Sequence, residues 1–498
     1  MIIFNIEEVP LYKAESVLAF GHFNTIHPGH IRYLKHAKEQ GKFLFVALRG
    51  DQDKDIKYQF KQKDRAESLD LLSIADFILC LKNDELDELV EKLKPTKLIF
   101  GNEFKRTKDP NINKAIEIQT KNNGLTLFHA GDINYASTDL LSGSEFELIE
   151  KRKIQFLNAL ERQKIDKSNL LKSIEEWKSA RLIVVGETIL DQYAACEAVG
   201  LSAEAPVLVV KELAKKNYIG GAAIVAQHIQ ALGAYCDFIS VVGQDENARI
   251  VRDYLDSKGT NYEIITDPSR PTIFKKRYVV ENQKLFRVSH LEDHSLNKEL
   301  EDELISKIES KAKYANGIII SDFVYGIITE KVLNKICQLA KKYSLSLFGD
   351  LQCSSQVGSI TKFKNFSLLC PNEREARIAL QDKDSGLESL CNQLIKNTNT
   401  QRLIMKLGAD GFIAYDRDKA GNLSSQSFPA LSVNPVDVAG AGDSLLALMS
   451  TGLSIRQPMM YTAALGCFIT SLAVETMGNV PISNSELKHA VELIYKNK

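Results

Sequence analysis

The sequence has no surplus of charge of either sign: 63 lysines and arginines stand against 64 aspartates and glutamates, a formal net charge of −1. That balance offers no basic field, so nucleic acid is not an expected partner. The eight cysteines show no C-x-x-C spacing. This argues against a disulfide frame or a zinc site and for reduced, mostly buried thiols in a cytoplasm. No apolar run approaches the roughly 18 residues a membrane helix needs, and residues 1–8 carry acids without the basic flank of a secretory leader. A soluble cytoplasmic protein without a membrane partner is expected. What the chain does have is length: 498 residues exceed a single core and predict two to four domains.

Strands alternating with helices predict an α/β fold of two doubly wound domains, with ligands at the carboxyl ends of parallel strands. In the first, strands are expected at residues 17–20, 43–48, 77–81 and 97–100, and helices at 31–38, 65–72 and 85–93. Ile31, Leu34 and Ala37 form the apolar face of the first helix. Between the first strand and that helix stands Gly21-His22-Phe23-Asn24-Thr25-Ile26-His27-Pro28-Gly29-His30. Four of the nine histidines, His22, His27, His30 and His36, crowd into this region. His27 and His30 lie where loop becomes helix, so imidazoles and unpaired helix amides can meet phosphate oxygens together. A metal site would need cysteines or carboxylates at a useful spacing; histidines without any role are the plain alternative. Lys54 and Lys57 are further candidates for phosphate, or members of a solvated charged loop.

Residues 144–180 read as a charged helical connector. A strand at 181–185 then leads to Asp191, placed to bind sugar hydroxyls or simply to make a turn. Short β-like segments at 206–211, 273–280 and 284–288 suggest a small sheet closing over substrate. Gly220 and Gly221 open a helix and permit close backbone approach to a ligand. Lys275, Lys276 and Arg277 can bind a phosphate on the sugar or line a solvated strand face. Strands at 317–321 and 346–348 end at Asp322 and Asp350. Asn372 and Glu375 are one helical turn apart and face the same way, a spacing that a capping box also has. A strand at 402–405 enters Lys406-Leu407-Gly408-Ala409-Asp410-Gly411. Finally a strand-like run at 432–435 leads into Asp437-Val438-Ala439-Gly440-Ala441-Gly442-Asp443-Ser444 and an apolar helix. The amides of Gly440, Ala441 and Gly442 would face an anion, and Asp443 would take a proton from an attacking hydroxyl. A glycine-rich turn capped by an aspartate has the same spelling.

The string D-x-A-G-A-G-D-S resembles the second signature of the ribokinase (phosphofructokinase-B) sugar kinases, in which the last aspartate is the base and the preceding amides form the anion hole. Gly220 and Gly221 resemble the first signature, with Ile224 where it carries asparagine. The 372–375 and 406–411 segments are similar to the family's N-x-x-E and nucleotide-binding turns, which implies nucleotide contacts at Asn372, Glu375, Lys406, Gly408 and Gly411, with Glu375 on Mg2+. The N-terminal string resembles the G-x-F-D-x-x-H-x-G-H signature of small nucleotidyltransferases, with Asn24 for aspartate. There the two histidines, here His27 and His30, stabilise charge on the α-phosphate. Gly21, Phe23, Asn24, Arg65, Gly101, Ser137 and Thr138 match further segments of that family and are implied nucleotide contacts.

Together these resemble the bifunctional heptose-7-phosphate kinase and heptose-1-phosphate adenylyltransferase family of bacterial surface polysaccharide synthesis, with the two halves in reversed order. The heptose kinase patterns S-D-Y-x-K-G and D-P-K have Tyr325 and Gln352 here in place of lysine. The resemblance implies a nucleotidyltransferase domain at 1–143, the connector at 144–180 and a kinase domain at 181–498. It implies Mg2+, ATP for the kinase and ATP or CTP for the transferase. Sugar phosphates and nucleotides are the expected partners, with a homodimer open to the assembly. A kinase and cytidylyltransferase for another sugar, or a degenerate nucleotide-binding sensor, are the alternatives.

Overall fold

The computed structural model describes the chain except residues 11–15, 25, 27, 52–59, 83–84, 102–103, 106, 108, 130–144, 203, 205–206, 282, 354–357 and 497–498. It divides into two compact units. One comprises Met1–Gly143 with Ala376–Asn397 and Tyr415–Ser427, the other Ser144–Glu375, Thr398–Ala414 and Phe428–Lys498.

The first unit holds a parallel sheet in the order Ile2–Ile3, Phe77–Cys80, Phe43–Leu48, Ser16–Gly21, Lys97–Gly101 and Leu125–His129. Runs such as Phe-Leu-Phe-Val-Ala-Leu are apolar on both faces because helices cover both sides of such a sheet. The helix Pro28–Glu39 buries Tyr33, Leu34 and Ala37, while Ile31 is only half-buried. Its inward face is therefore turned toward Tyr33, whose hydroxyl donates to the Ile99 carbonyl at 2.6 Å. A phenol with a backbone partner can be buried, and apolar periodicity does not register it.

In the second unit a parallel sheet runs in the order Tyr262–Thr266, Tyr235–Val242, Arg181–Gly186, Gly317–Asp322, Ser346–Leu351, Leu368–Leu369 and Arg402–Lys406. The small sheet expected from short β segments is larger than the sequence suggested, with order Gln283–His290, Ile273–Val280, Thr188–Leu201 and Leu208–Gly221. Asp191 lies within the third of these strands, not at the end of the strand Arg181–Gly186. Its long antiparallel partner, not its own composition, holds the Ala-Ala-Cys-Glu-Ala stretch extended.

Residues 432–435 form no strand. The following backbone instead turns against the end of the helix Met459–Ala473, where Val436 and Asp437 donate to the Val474 carbonyl at 2.8 and 3.2 Å. The segment read as a connector contains the helices Glu145–Arg162 and Lys167–Glu176. Phe156, Leu160, Leu170, Ile174 and Trp177 from this stretch enter the second unit's core beside Phe468 and Leu487. Asp166 starts the second of these helices with a reciprocal capping box to Asn169. All eight cysteines are free thiols. Among the described residues no helix is long and apolar enough to cross a membrane.

Candidate active sites

In the second unit, the helix Ala441–Ser454 begins at Gly440, whose φ of +81° suits glycine. A β-carbon at Gly440 would stand 2.3 Å from the Asn479 side-chain oxygen, so the turn has no room for one. No side chain caps this helix, which leaves its first amides to an anion. Asp443, in the first turn, is buried, and its Oδ1 accepts a hydrogen bond from Gln352 at 2.9 Å. Burial first, and then Asp350, push the Asp443 carboxyl up to about 7, against the opposing pull of Lys406. A carboxylate with that affinity is matched to proton abstraction near neutral pH.

Lys406 stands among three acids. Its Nζ donates to both Asp350 oxygens at 2.9 Å and lies 3.4 Å from where a β-carbon on Gly442 would be. Burial draws its proton affinity down, but Asp350 and Glu375 more than offset this and leave it raised. The ammonium therefore stays charged beside the helix start. Glu375 is raised by burial, with Lys406 opposing. Its Oε2 accepts from the Asn372 amide and the Asn372 Oδ1 accepts from the Glu375 amide, both at 2.8 Å. This is the capping box that the spacing allowed, and it directs both side chains toward the helix backbone. The turn Gly408–Asp410 follows, with φ of +60° at Gly408 and +90° at Gly411. A β-carbon at Gly411 would meet the Phe428 carbonyl at 2.1 Å.

On the small sheet, Asp191 is buried and paired with Arg277. Gly220 lies so near that a β-carbon would be 2.6 Å from the Asp191 carboxylate. Gly221, with φ of +66°, starts the helix Ala222–Ala231. Ile224 is completely buried, so the position of the family's asparagine is a core position in this chain. Asp437 accepts from Tyr193 at 2.6 Å, from the Ala439 amide at 2.9 Å and from Lys284. The second unit thus brings together Asp191, Asp350, Lys406, Gly442 and Asp443. Lys284 and Asn479 were missed as participants, because their partners Asp437 and Ile219 are 153 and 260 residues away; Arg277, expected to bind a phosphate on the sugar, pairs with Asp191, and Gln352, which stands where the heptose kinase pattern has lysine, donates to Asp443. Arg152 was missed too: from the leading helix it donates to the carbonyls of Ala409, at 3.1 Å, and Ser432.

In the first unit, Gly21 ends the strand Ser16–Gly21, and a β-carbon there would be 2.8 Å from the Phe23 ring. Phe23, at φ +46°, is buried with its ring 4.9 Å from that of His30. Its ring packs within the fold beside His30. His30 sits in the first turn of the helix Pro28–Glu39, and Asn24 is half-buried in the bend before it. Gly101 closes the strand Lys97–Gly101. Arg65 is the arginine expected near the nucleotide. It is fully buried, and its guanidinium donates to the carbonyl of His22, to that of Arg49 at 2.8 Å and to Asp51 at 2.7 Å. It ties the backbone at His22 and Arg49 to the Asp51 carboxylate, since a buried cation needs these acceptors. His27, Ser137, Thr138, Lys54 and Lys57 lie outside the described residues.

Two family profiles match the chain: cytidylyltransferase-like at residues 18–146 and pfkB family carbohydrate kinase at 179–485. Among curated proteins, the bifunctional protein HldE of Campylobacter jejuni subsp. doylei is 29% identical over 321 residues, 64% of this chain and 66% of that protein. HldE of Wolinella succinogenes is 29% identical over 311 residues, 61% of this chain and 63% of that protein. The chain thus spans just under two thirds of the length of the curated relatives it matches. Phosphofructokinase-2 from Escherichia coli superposes with a TM-score of 0.53 at 15% identity, covering 64% of this chain and 99% of that one. Ribokinase from Giardia lamblia gives 0.52 at 16%, covering 63% and 100%. At such identities the likeness is one of fold. With the kinase profile spanning more than half of its residues, the chain belongs to the pfkB family of carbohydrate kinases.

Proposed function

We propose that the chain makes a nucleotide-activated sugar in two steps. In the kinase domain, 181–498, Asp443 takes the proton of an anomeric hydroxyl. That oxygen attacks the γ-phosphorus of ATP, and ADP leaves. The acceptor is a sugar or sugar phosphate of the heptose 7-phosphate kind. The amides of Gly440, Ala441 and Gly442, with Lys406, meet the charge on the transferred group. In the nucleotidyltransferase domain, 1–143, an oxygen of the sugar 1-phosphate attacks the α-phosphorus of ATP or CTP, and pyrophosphate leaves. His27 and His30 donate to the α-phosphate oxygens. The observation that carries the reading is Asp443, raised to about 7 at the head of an uncapped helix.

The names of the HldE relatives and the two profiles support a bifunctional reading, here with the transferase half first. Residues 144–180 join the domains in this reading, and a homodimer is the proposed assembly. Among the described residues no cluster of three or more His, Cys, Asp or Glu is arranged for a metal. Mg2+ therefore fits as an ion held chiefly by nucleotide phosphates and water, with Glu375 the acid that would take a metal-bound water. When bound, it neutralises phosphate charge. Asn24 in place of an aspartate and the buried Ile224 favour one second reading, a different sugar with CTP as the nucleotide.

Mass spectrometry of products from purified protein with magnesium, ATP, CTP and pooled sugar phosphates tests the proposal. A sugar bisphosphate and a nucleotide sugar are expected; nucleotide left unconsumed with every sugar refutes it. His30→Ala is expected to slow pyrophosphate release by about 100-fold or more while sugar phosphorylation continues. Parallel loss of both activities in that variant would count against two separate sites.

A further inference from the structure

The turn that follows the strand Arg402–Lys406 stands out from the sheet, with Gly408, Ala409 and Asp410 all exposed. Its internal bonds are few. The Asp410 amide donates to the Leu407 carbonyl at 3.2 Å, the Gly411 amide to that of Gly408 at 3.1 Å, and the Leu407 amide to that of Gly411 at 2.8 Å. Beside Gly408 a β-carbon would have no atom within 4 Å, so that side of the turn is open to a ligand. An exposed loop of this kind keeps one shape only if neighbouring structure restrains it.

Arg152 supplies the restraint. From the helix Glu145–Arg162 its half-buried guanidinium donates to the Ala409 carbonyl at 3.1 Å and, through its other terminal nitrogen, to the Ser432 carbonyl. In a trans peptide the carbonyl and the following N–H point in opposite directions. Drawing the Ala409 carbonyl outward therefore turns the Asp410 amide back toward Leu407, where it closes the turn. Phe156, one helical turn further on, packs its ring 6.5 Å from that of Phe428 and 5.2 Å from that of Phe468. The Phe428 carbonyl is the group against which Gly411 is fitted. The helix thus reaches the turn at both ends, directly at Ala409 and through Phe428 at Gly411. The kinase profile begins at residue 179, so this hold comes from outside it.

We propose that Arg152 is a positioning residue for the kinase nucleotide: it fixes the turn at 407–411 in the shape that receives ATP, and so sets the affinity for ATP without touching the reacting atoms. The inference rests on the nucleotide role read above for residues 406–411. Two carbonyls on separate segments suit the planar fork of an arginine, which donates to both at once. Ser432 lies on the segment that leads to Gly440, so the same side chain ties the nucleotide turn to the approach of the anion-binding helix.

The test uses the purified full-length protein with ATP and Mg2+. Hydrogen exchange of peptides covering residues 406–412 is followed as ATP is titrated, which reads this turn apart from any ATP bound in the first unit. ADP release with pooled sugar phosphates gives KM for ATP and kcat. ATP is expected to protect the turn in the wild type. Arg152→Met, which keeps the stem of the side chain, should raise both the ATP concentration at half-protection and KM by about 10-fold or more, with kcat within about twofold of wild type. Arg152→Lys, whose compact ammonium lacks the fork, should fall between the two; it carries the same comparison if the methionine variant does not fold. A variant that only loses stability would melt earlier without this split between KM and kcat. Wild-type KM and half-protection in a folded variant overturn the proposal, as does a fall in kcat at unchanged KM. Failure of the underlying reading has another signature: in the wild type itself ATP leaves the turn unprotected, so that residues 406–411 do not meet the nucleotide and the role of Arg152 falls with them.

Discussion

Asp443→Asn is expected to lower sugar phosphorylation by about 10³-fold while ATP binding is retained. The amide matches the carboxylate in shape and keeps an oxygen for the Gln352 hydrogen bond, but it does not accept the proton of the attacking hydroxyl. The pH dependence gives an independent reading. Burial and Asp350 hold the Asp443 carboxyl at about 7, so the group is protonated and idle in acid. Wild-type kcat/KM should therefore rise about tenfold per pH unit below about 7 and level off above it. In the variant that limb should be flat. Stopped-flow phosphorylation rates across pH 5 to 9, with ATP affinity measured separately, check both statements. Wild-type turnover in Asp443→Asn removes the base assignment.

Lys406→Met has the next largest expected effect, and it acts on two quantities. Kinetically it removes the cation beside Gly442, with an expected loss of about 10²–10³-fold in phosphoryl transfer. Thermodynamically it leaves Asp350 buried without its ion-pair partner, a loss of about 3–5 kcal/mol for breaking such a pair. Lys406 also restrains the proton affinity of Asp443, so the acid limb of any remaining activity should move to higher pH. The double variant Lys406→Met with Asp350→Asn separates the two: urea melts should recover much of the stability while turnover stays low. Recovery of both together would make Lys406 a purely structural residue.

The positions at which strand gives way to helix were the legible part of the site. Glycine at Gly221, Gly408, Gly411 and Gly440 reports a local backbone need, and all four have positive φ. Local strings carry local geometry. Pairing across the chain has no such signature: Arg65 looks like any helical arginine until the carbonyls of His22 and Arg49 close on it. Lys406 and Asp350 are 56 residues apart, and nothing in either neighbourhood announces the other. The strand Thr188–Leu201 was opaque for a related reason, since its extension depends on cross-strand partners and its own alternation is weak. Residues 432–435 misled in the opposite direction. Their β-like composition was real, but no neighbouring strand accepts their hydrogen bonds.

The helices at residues 145–176 have one further bearing, on how the polypeptide can be taken apart. Because Phe156, Leu170, Ile174 and Trp177 are shared with the interior around Phe468, a fragment begun at Arg181, where the first strand of the sheet starts, would expose a greasy wound and aggregate. Any cut that frees a working kinase, in the laboratory or by gene fission, has to fall ahead of Glu145.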